Sequence, residues 1–265
     1  MKPISNYHTH IYLCKHATGT VRDYVEKAIS LDYQVIGISD HGPINEELKK
    51  QFYTRRMDMK EYQNIYLKDL VQLKEEYRDK ITLLGALEIE FFDEMVTHYP
   101  KFINELDYLI LGQHYLKVDG KYTSVYRGMT PKNIKIYTDT VLKAFASGYF
   151  KILAHPEIFT MSYPKWDEHC EQATQRIIEG AKKYNIILEV NANGMRLNRA
   201  ALTKDNKFTN SYPHLNFWQS VAKTDLPVIV NDDAHAVEHL CDQATFRAYD
   251  FARELGLNII QKIQL

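Results

Sequence analysis

The feature that most constrains how this chain can fold is a recurrence. Short apolar runs alternate with longer amphipathic stretches along the whole sequence, and the apolar runs end at or beside histidines and acids. The runs are 3–8, 35–39, 82–89, 108–111, 151–154, 186–190 and 227–230. Several are unbroken stretches of Val, Ile and Leu, as expected of strands covered on both faces. Strands alternating with helical patterns predict a parallel sheet with crossover helices. Helical signals fall between the runs. Thr20 and Asp23 form a capping box opening a helix toward Leu31, residues 57–77 carry apolar positions on a helical period, and Pro131 stands as the first residue of a helix reaching toward Ser147. Further helices are expected over 169–184, 215–222 and 237–254. Two stretches, 115–130 and 192–213, lack periodicity and read as functional loops. Seven β/α units in one direction predict an α/β fold: a distorted (β/α)7 TIM-like barrel, forming a single domain over 1–265. An eighth strand would fit near 258–263. In such barrels chemistry sits at the C-terminal ends of the strands.

Composition narrows the function. With 33 Lys and Arg against 34 Asp and Glu, the net charge of −1 argues against a general nucleic-acid binder. The three cysteines, Cys14, Cys170 and Cys241, are odd in number and widely spaced, which disfavours a disulfide framework and favours a reducing compartment. No targeting segment or long apolar span is visible, so a cytoplasmic protein without a membrane partner is expected.

The strand ends carry the chemistry. His8 and His10 end the first run two residues apart, so both imidazoles are able to aim at one point. Asp40 and His41 follow the second run, Glu88 and Glu90 the third, His114 the fourth and His155 the fifth. Glu189, Asn191 and Asn193 end the sixth, and Asp233 and His235 follow the seventh. Of the 11 histidines, only His98, His169, His214 and His239 lie away from these ends and the first loop, which holds His16. A catalytic zinc takes four to five ligands with one position open, so this inventory implies two or three ions. Three divalent ions held by seven neutral imidazoles, Glu88 and Asp233 would leave roughly +4. Such a site suits a strongly anionic substrate, a phosphate monoester above all.

As a set, His8-x-His10, His16, Asp40-His41-Gly42, Glu88, His114, Ala154-His155-Pro156 and Asp233-x-His235 resembles the polymerase-and-histidinol-phosphatase (PHP) family, over nearly the whole chain and in family order. The length and the stretch Glu189-Val-Asn-Ala-Asn-Gly-Met-Arg196 resemble its histidinol-phosphate phosphatase branch. The resemblance implies a trinuclear centre of Zn, Mn, Fe or Co. His8, His10, Glu88 and Asp233 would hold one ion, Glu88, His114 and His155 a second, and His16, His41 and His235 a third. Asp40 would join an ion or orient a ligand.

The expected activity is hydrolysis of L-histidinol phosphate, in histidine biosynthesis, by attack of a metal-bridging hydroxide; bound metal brings the pKa of water from 15.7 toward about 7. Asp233, His235 and Asp40 are the candidates for moving protons. Arg196 is the expected phosphate clamp and Arg127 a second candidate. Glu90 and Tyr115 are candidate contacts for the rest of a small-molecule substrate, and Glu90 is alternatively a partner behind a metal ligand. The alternative is a phosphoesterase of the same scaffold acting on nucleotides or nucleic-acid ends. A non-catalytic metal module would show a degenerate ligand set, and an amide hydrolase a lysine at a strand end; neither is seen.

Overall fold

The computed structural model describes residues 2–265. Eight parallel strands form one curled sheet in chain order: β1 (Ser5–Asn6), β2 (Val35–Ile38), β3 (Thr82–Ile89), β4 (Tyr108–Leu111), β5 (Ile152–Leu153), β6 (Ile187–Asn191), β7 (Pro227–Asn231) and β8 (Asn258–Ile259). β8 is the extra strand foreseen near 258–263. The sheet closes differently at its two ends. At the C-terminal end the chain beyond β1 meets the chain beyond β7 directly, through a Thr9–Ala234 bridge in which the His10 amide donates to Ala234 O at 2.8 Å. At the opposite end β8 pairs with β7. The tail beyond β8 spans the gap to β1, where Gln261 Oε1 accepts from the Ile4 amide at 3.1 Å and Ser5 Oγ donates to Gln261 O. The barrel is thus seven strands round where the chemistry lies and carries an eighth at its base.

Two apolar cores follow. One fills the barrel with Tyr7, Val35, Ala86, Tyr108, Ile110, Ile152, Ala154 and Ile229, and Leu84, Ile187, Ile260 and Ile263 pack against it. Along β3, Leu84, Ala86 and Glu88 share one face by the period of two, so the interior grades from apolar to ionic toward the C-terminal ends. Gly37 permits this packing: a Cβ there would stand 2.0 Å from the Tyr108 hydroxyl, which donates to Tyr7 O at 2.5 Å. The second and larger core lies between the sheet and the helices.

The helix Val21–Ser30 opens with the expected Thr20–Asp23 capping box, and Pro131–Ser147 has Pro in its first turn. The helix expected over 57–77 is present but not uniform. A π-helical turn, Tyr62–Tyr66, joins Met59–Glu61 to Leu67–Glu76, and places the Tyr66 hydroxyl 2.7 and 2.5 Å from the carbonyls of Ile38 and Ala86. The helix expected over 237–254 is interrupted. A short turn at Val237–His239 is separated from Gln243–Glu254 by Cys241 in a left-handed conformation (φ 60°), and Asp242 then caps the second helix. Both stretches expected as loops carry hairpins. Tyr115–Val118 pairs with Lys121–Ser124, and Ala200–Leu202 pairs with Phe208–Asn210 behind the short helix Ala192–Leu197.

Candidate metal centre

The predicted ligands converge from all around the barrel mouth. His8 Nε2 and His10 Nε2 lie 3.0 Å apart. Asp233 Oδ1 is 3.1 Å from His10 Nε2 and 3.7 Å from His8 Nε2, and Glu88 Oε2 is 3.5 Å from each. The other oxygen of Glu88 faces His155 Nε2 at 3.1 Å and His114 Nε2 at 3.4 Å, while His41 Nδ1 approaches Glu88 Oε2 at 3.0 Å. Glu88 therefore stands between two groups of imidazoles, each group on its own carboxylate oxygen. His10, His41 and His235 form a further convergent set. His16 stands outside the close groups among the described residues. Its ring lies 5.1 Å from that of His41 and 5.0 Å from that of His235, at the solvent side.

The reverse side of these rings shows what the arrangement is for. His8 Nδ1 faces Glu189 Oε1 at 2.8 Å, His10 Nδ1 faces Asp40 Oδ1 at 3.3 Å, and His114 Nδ1 faces Glu90 Oε1 at 3.4 Å. A carboxylate behind a ring holds the proton on the nitrogen that faces it, Nδ1 here, and leaves Nε2 with its lone pair toward the site. The lone pairs of His8 and His10 then point at each other, with Asp233 Oδ1 beside them buried and without a hydrogen-bond partner. Bare acceptors this close are compatible only with protons or cations among them, and nitrogen and oxygen donors of this kind suit divalent metal ions. Burial alone would lower the pKa of His8 and His10, but the surrounding carboxylates outweigh it and raise both. Burial would likewise raise Glu88 and Asp233, yet the converging imidazoles hold both well below the usual carboxylate range.

Backbone and neighbours are shaped to this end. His155 (φ 31°) and Asp233 (φ 45°) adopt left-handed conformations unfavourable to side-chain-bearing residues, a strain that concentrates at functional sites. At Gly112 a Cβ would sit 2.1 Å from Glu88 Oε1, so glycine makes the room in which the central carboxylate lies. Asn191 Nδ2 and Asn193 Nδ2 donate to Asp233 Oδ2 at 3.1 and 3.4 Å and leave Oδ1 facing the imidazoles. Asn231 and Asn191 both donate to Glu189.

One expectation from the sequence is overturned, that for Arg196, and those for Asp40 and Glu90 are narrowed. Asp40 lies behind His10 and also accepts from the His41 amide at 2.8 Å, the position of a group that orients its neighbours. Glu90 is buried against Arg56, which donates to it through both terminal nitrogens at 3.0 Å. Burial would raise its pKa, but Arg56 and His114 bring it down to about 2. Its carboxylate is engaged by Arg56 and His114 while it lines the pocket at the barrel mouth. Arg196 is committed too: it donates to Asp242 through Nε at 2.7 Å and Nη2 at 3.2 Å, to Asp232 O at 2.5 Å and to His239 O at 2.7 Å. The expected clamp is therefore a strut beneath the Asp233 loop. Arg127 is exposed, and its charge acts on the Tyr115 hydroxyl. Tyr115 lines the pocket at the barrel mouth, a space of about 380 Å³ bounded also by His16, His41, His114, Tyr126 and the segment from Tyr53 to Arg56.

The PHP domain profile matches residues 6–193. A histidinol-phosphatase from Bacillus subtilis is 27% identical over 121 residues, 43% of this chain and 45% of that relative. The "Probable histidinol-phosphatase" of Deinococcus radiodurans is 22% identical over 266 residues, 96% of this chain and 94% of its own. The solved structure of a histidinol phosphate phosphatase from Lactococcus lactis, complexed with zinc, L-histidinol and phosphate, shares the fold. Its TM-score is 0.72 at 15% identity, covering 100% of this chain and 99% of that one.

Proposed function

The chain belongs to the PHP domain family, and from that premise we propose that it is a metal-dependent phosphomonoesterase that hydrolyses L-histidinol phosphate to L-histidinol and phosphate. The observation that carries the reading is Glu88, buried between two sets of imidazoles with each oxygen facing its own set. A carboxylate so placed suits bridging two cations, and paired cations suit in-line displacement at phosphorus. The naming of relatives supports the substrate.

We assign His8, His10, Glu88 and Asp233 to one ion, Glu88, His114 and His155 to a second, and His16, His41 and His235 to a third. Zn, Mn, Fe and Co all suit such donors. When bound, the ions would acidify water and neutralise the phosphoryl oxygens. The chain's own residues do the rest. Glu189, Asp40 and Glu90 fix the tautomers of His8, His10 and His114. Asn191 and Asn193 hold Asp233 through Oδ2, and Asp233 would take the proton of the attacking water and pass it to the leaving alcohol, with His235 as the alternative carrier of that proton.

The test is phosphate release by metal-loaded protein from L-histidinol phosphate, set against nucleotides and simple monoesters. Preferred turnover of L-histidinol phosphate and metal analysis near three ions per chain are expected. Full activity without metal would overturn the mechanism, and equal turnover of unrelated esters would overturn the substrate.

A further inference from the structure

The pocket beside the candidate metal ligands carries an unpaired positive charge on its wall. Its lining includes three charged side chains, Arg55, Arg56 and Glu90. Arg56 and Glu90 neutralise each other through a buried two-pronged ion pair. Arg55 is exposed and makes no ion pair among the described residues. The remaining walls are aromatic: Tyr53, Tyr115, and Tyr126, whose ring lies parallel to that of His114 at 5.9 Å.

Arg55 is also held in place. On its C-terminal side, Arg56 reaches inward to Glu90 and to Gly42 O at 2.9 Å. On its N-terminal side, Thr54 Oγ1 accepts from Arg56 at 2.9 Å, and Tyr53 O accepts from the Tyr115 hydroxyl at 2.9 Å. The backbone on either side of the free guanidinium is thus pinned, through Arg56 to Glu90, which backs His114, and through Tyr53 to Tyr115. A leaving group that carries a cation, as that of L-histidinol phosphate does, finds no free carboxylate among the residues of this wall.

We propose that Arg55 receives a second anionic group, a carboxylate or phosphate, borne by the leaving group of the ester. The enzyme's range then extends to monoesters of acidic, flat-ringed alcohols in addition to L-histidinol phosphate. The proposal rests on the phosphomonoesterase reading. Guanidinium binds a carboxylate or phosphate through two parallel hydrogen bonds, and the tyrosine faces provide stacking area for a ring.

The test uses two nearly isosteric esters, 4-carboxyphenyl phosphate and 4-carbamoylphenyl phosphate, with L-histidinol phosphate alongside. Wild-type protein is expected to favour the carboxylate by about tenfold in kcat/KM, through KM, the size of a partly exposed charge-assisted contact. Arg55→Gln should bring the ratio close to one, and Arg55→Lys should keep part of it. A wild-type ratio near one, or a ratio that survives Arg55→Gln, overturns the proposal, as does turnover of L-histidinol phosphate with neither aryl ester accepted. Failure of all three esters would instead overturn the phosphatase reading. Calorimetric binding of the matching aryl phosphonates then still decides the role of Arg55, by the same ratio.

Discussion

Two buried clusters of histidine and carboxylate in this molecule solve the cost of burial in opposite ways. At the metal centre, Glu88 and Asp233 are each surrounded by imidazoles and are held well below the usual carboxylate range. Behind it, Glu157 and His214 are equally buried but meet only neutral partners. Glu157 Oε1 accepts from the Trp218 indole at 2.6 Å and the His214 amide at 2.8 Å. His214 Nδ1 caps a helix through the Asn216 amide, and its ring stacks on Trp166 at 4.4 Å. Burial pushes Glu157 up to about 8 and His214 down to about 4, so both are uncharged near pH 6. The residue types are the same; what differs is how many opposite charges converge. The first cluster is built to concentrate charge and calls for cations, whereas the second shelters neutral groups in the core.

The contrast breaks if the first cluster tolerates loss of charge or the second responds to metal. Asp233→Asn has the largest expected effect. It should reduce phosphate release by on the order of 10³-fold and remove at least one ion per chain by elemental analysis, with unchanged far-UV circular dichroism. Gly112→Ala should come next, about 10²-fold in activity, although it removes no ligand, because the new Cβ must displace the Glu88 carboxylate. Glu189→Gln keeps the shape but weakens the hold on the His8 proton. A loss of about ten- to a hundredfold in metal affinity is expected, read by chelator competition.

The smallest effects belong to the neutral cluster and show only in stability against pH. A carboxyl that titrates at about 8 in the folded chain, against 4.5 ordinarily, keeps its proton longer when folded, so its contribution declines as pH rises through that window. Glu157→Gln should flatten that decline, by up to a few kcal/mol. His214, lowered from 6.5 to about 4, takes its proton first in the unfolded chain, so stability falls as pH drops from 6.5 toward 4. His214→Asn keeps a capping side chain and should remove this acid limb, in chemical denaturation at pH 7 and pH 4.5. A change in metal content in either variant would contradict the separation of the two clusters.

The strand-end histidines and acids that converge at the barrel mouth were legible because two independent patterns, apolar runs and chelating residue types, coincide there. The order of the parallel strands followed from the same alternation. The partners behind the ligands were not: Glu189 and His8 stand far apart in sequence, and no local spacing links them. Arg196 misled because its sequence neighbourhood points to the site, while its donors are claimed by Asp242 and two carbonyls brought in by the next loop. Arg55 and Arg56 lie in a polar stretch without a motif, and only the fold separates the buried one from the free one. One missed feature did have a signal. Asp119-Gly120, both at positive φ, form the two-residue turn of the first hairpin between strand-like flanks.

The Thr9–Ala234 bridge has a consequence for how the molecule comes into being and comes apart. It joins the first strand end to the last, so His10 and Asp233 become neighbours only once nearly all the intervening chain has found its place. Contacts of such long range are late rewards in folding. A nascent chain still lacking its last strands holds only part of the ligand set, so ions cannot template its early collapse in this arrangement. Once the ends have met, an ion held by His10 and Asp233 would fasten them as a clasp, and its contribution would appear as slower opening rather than faster folding.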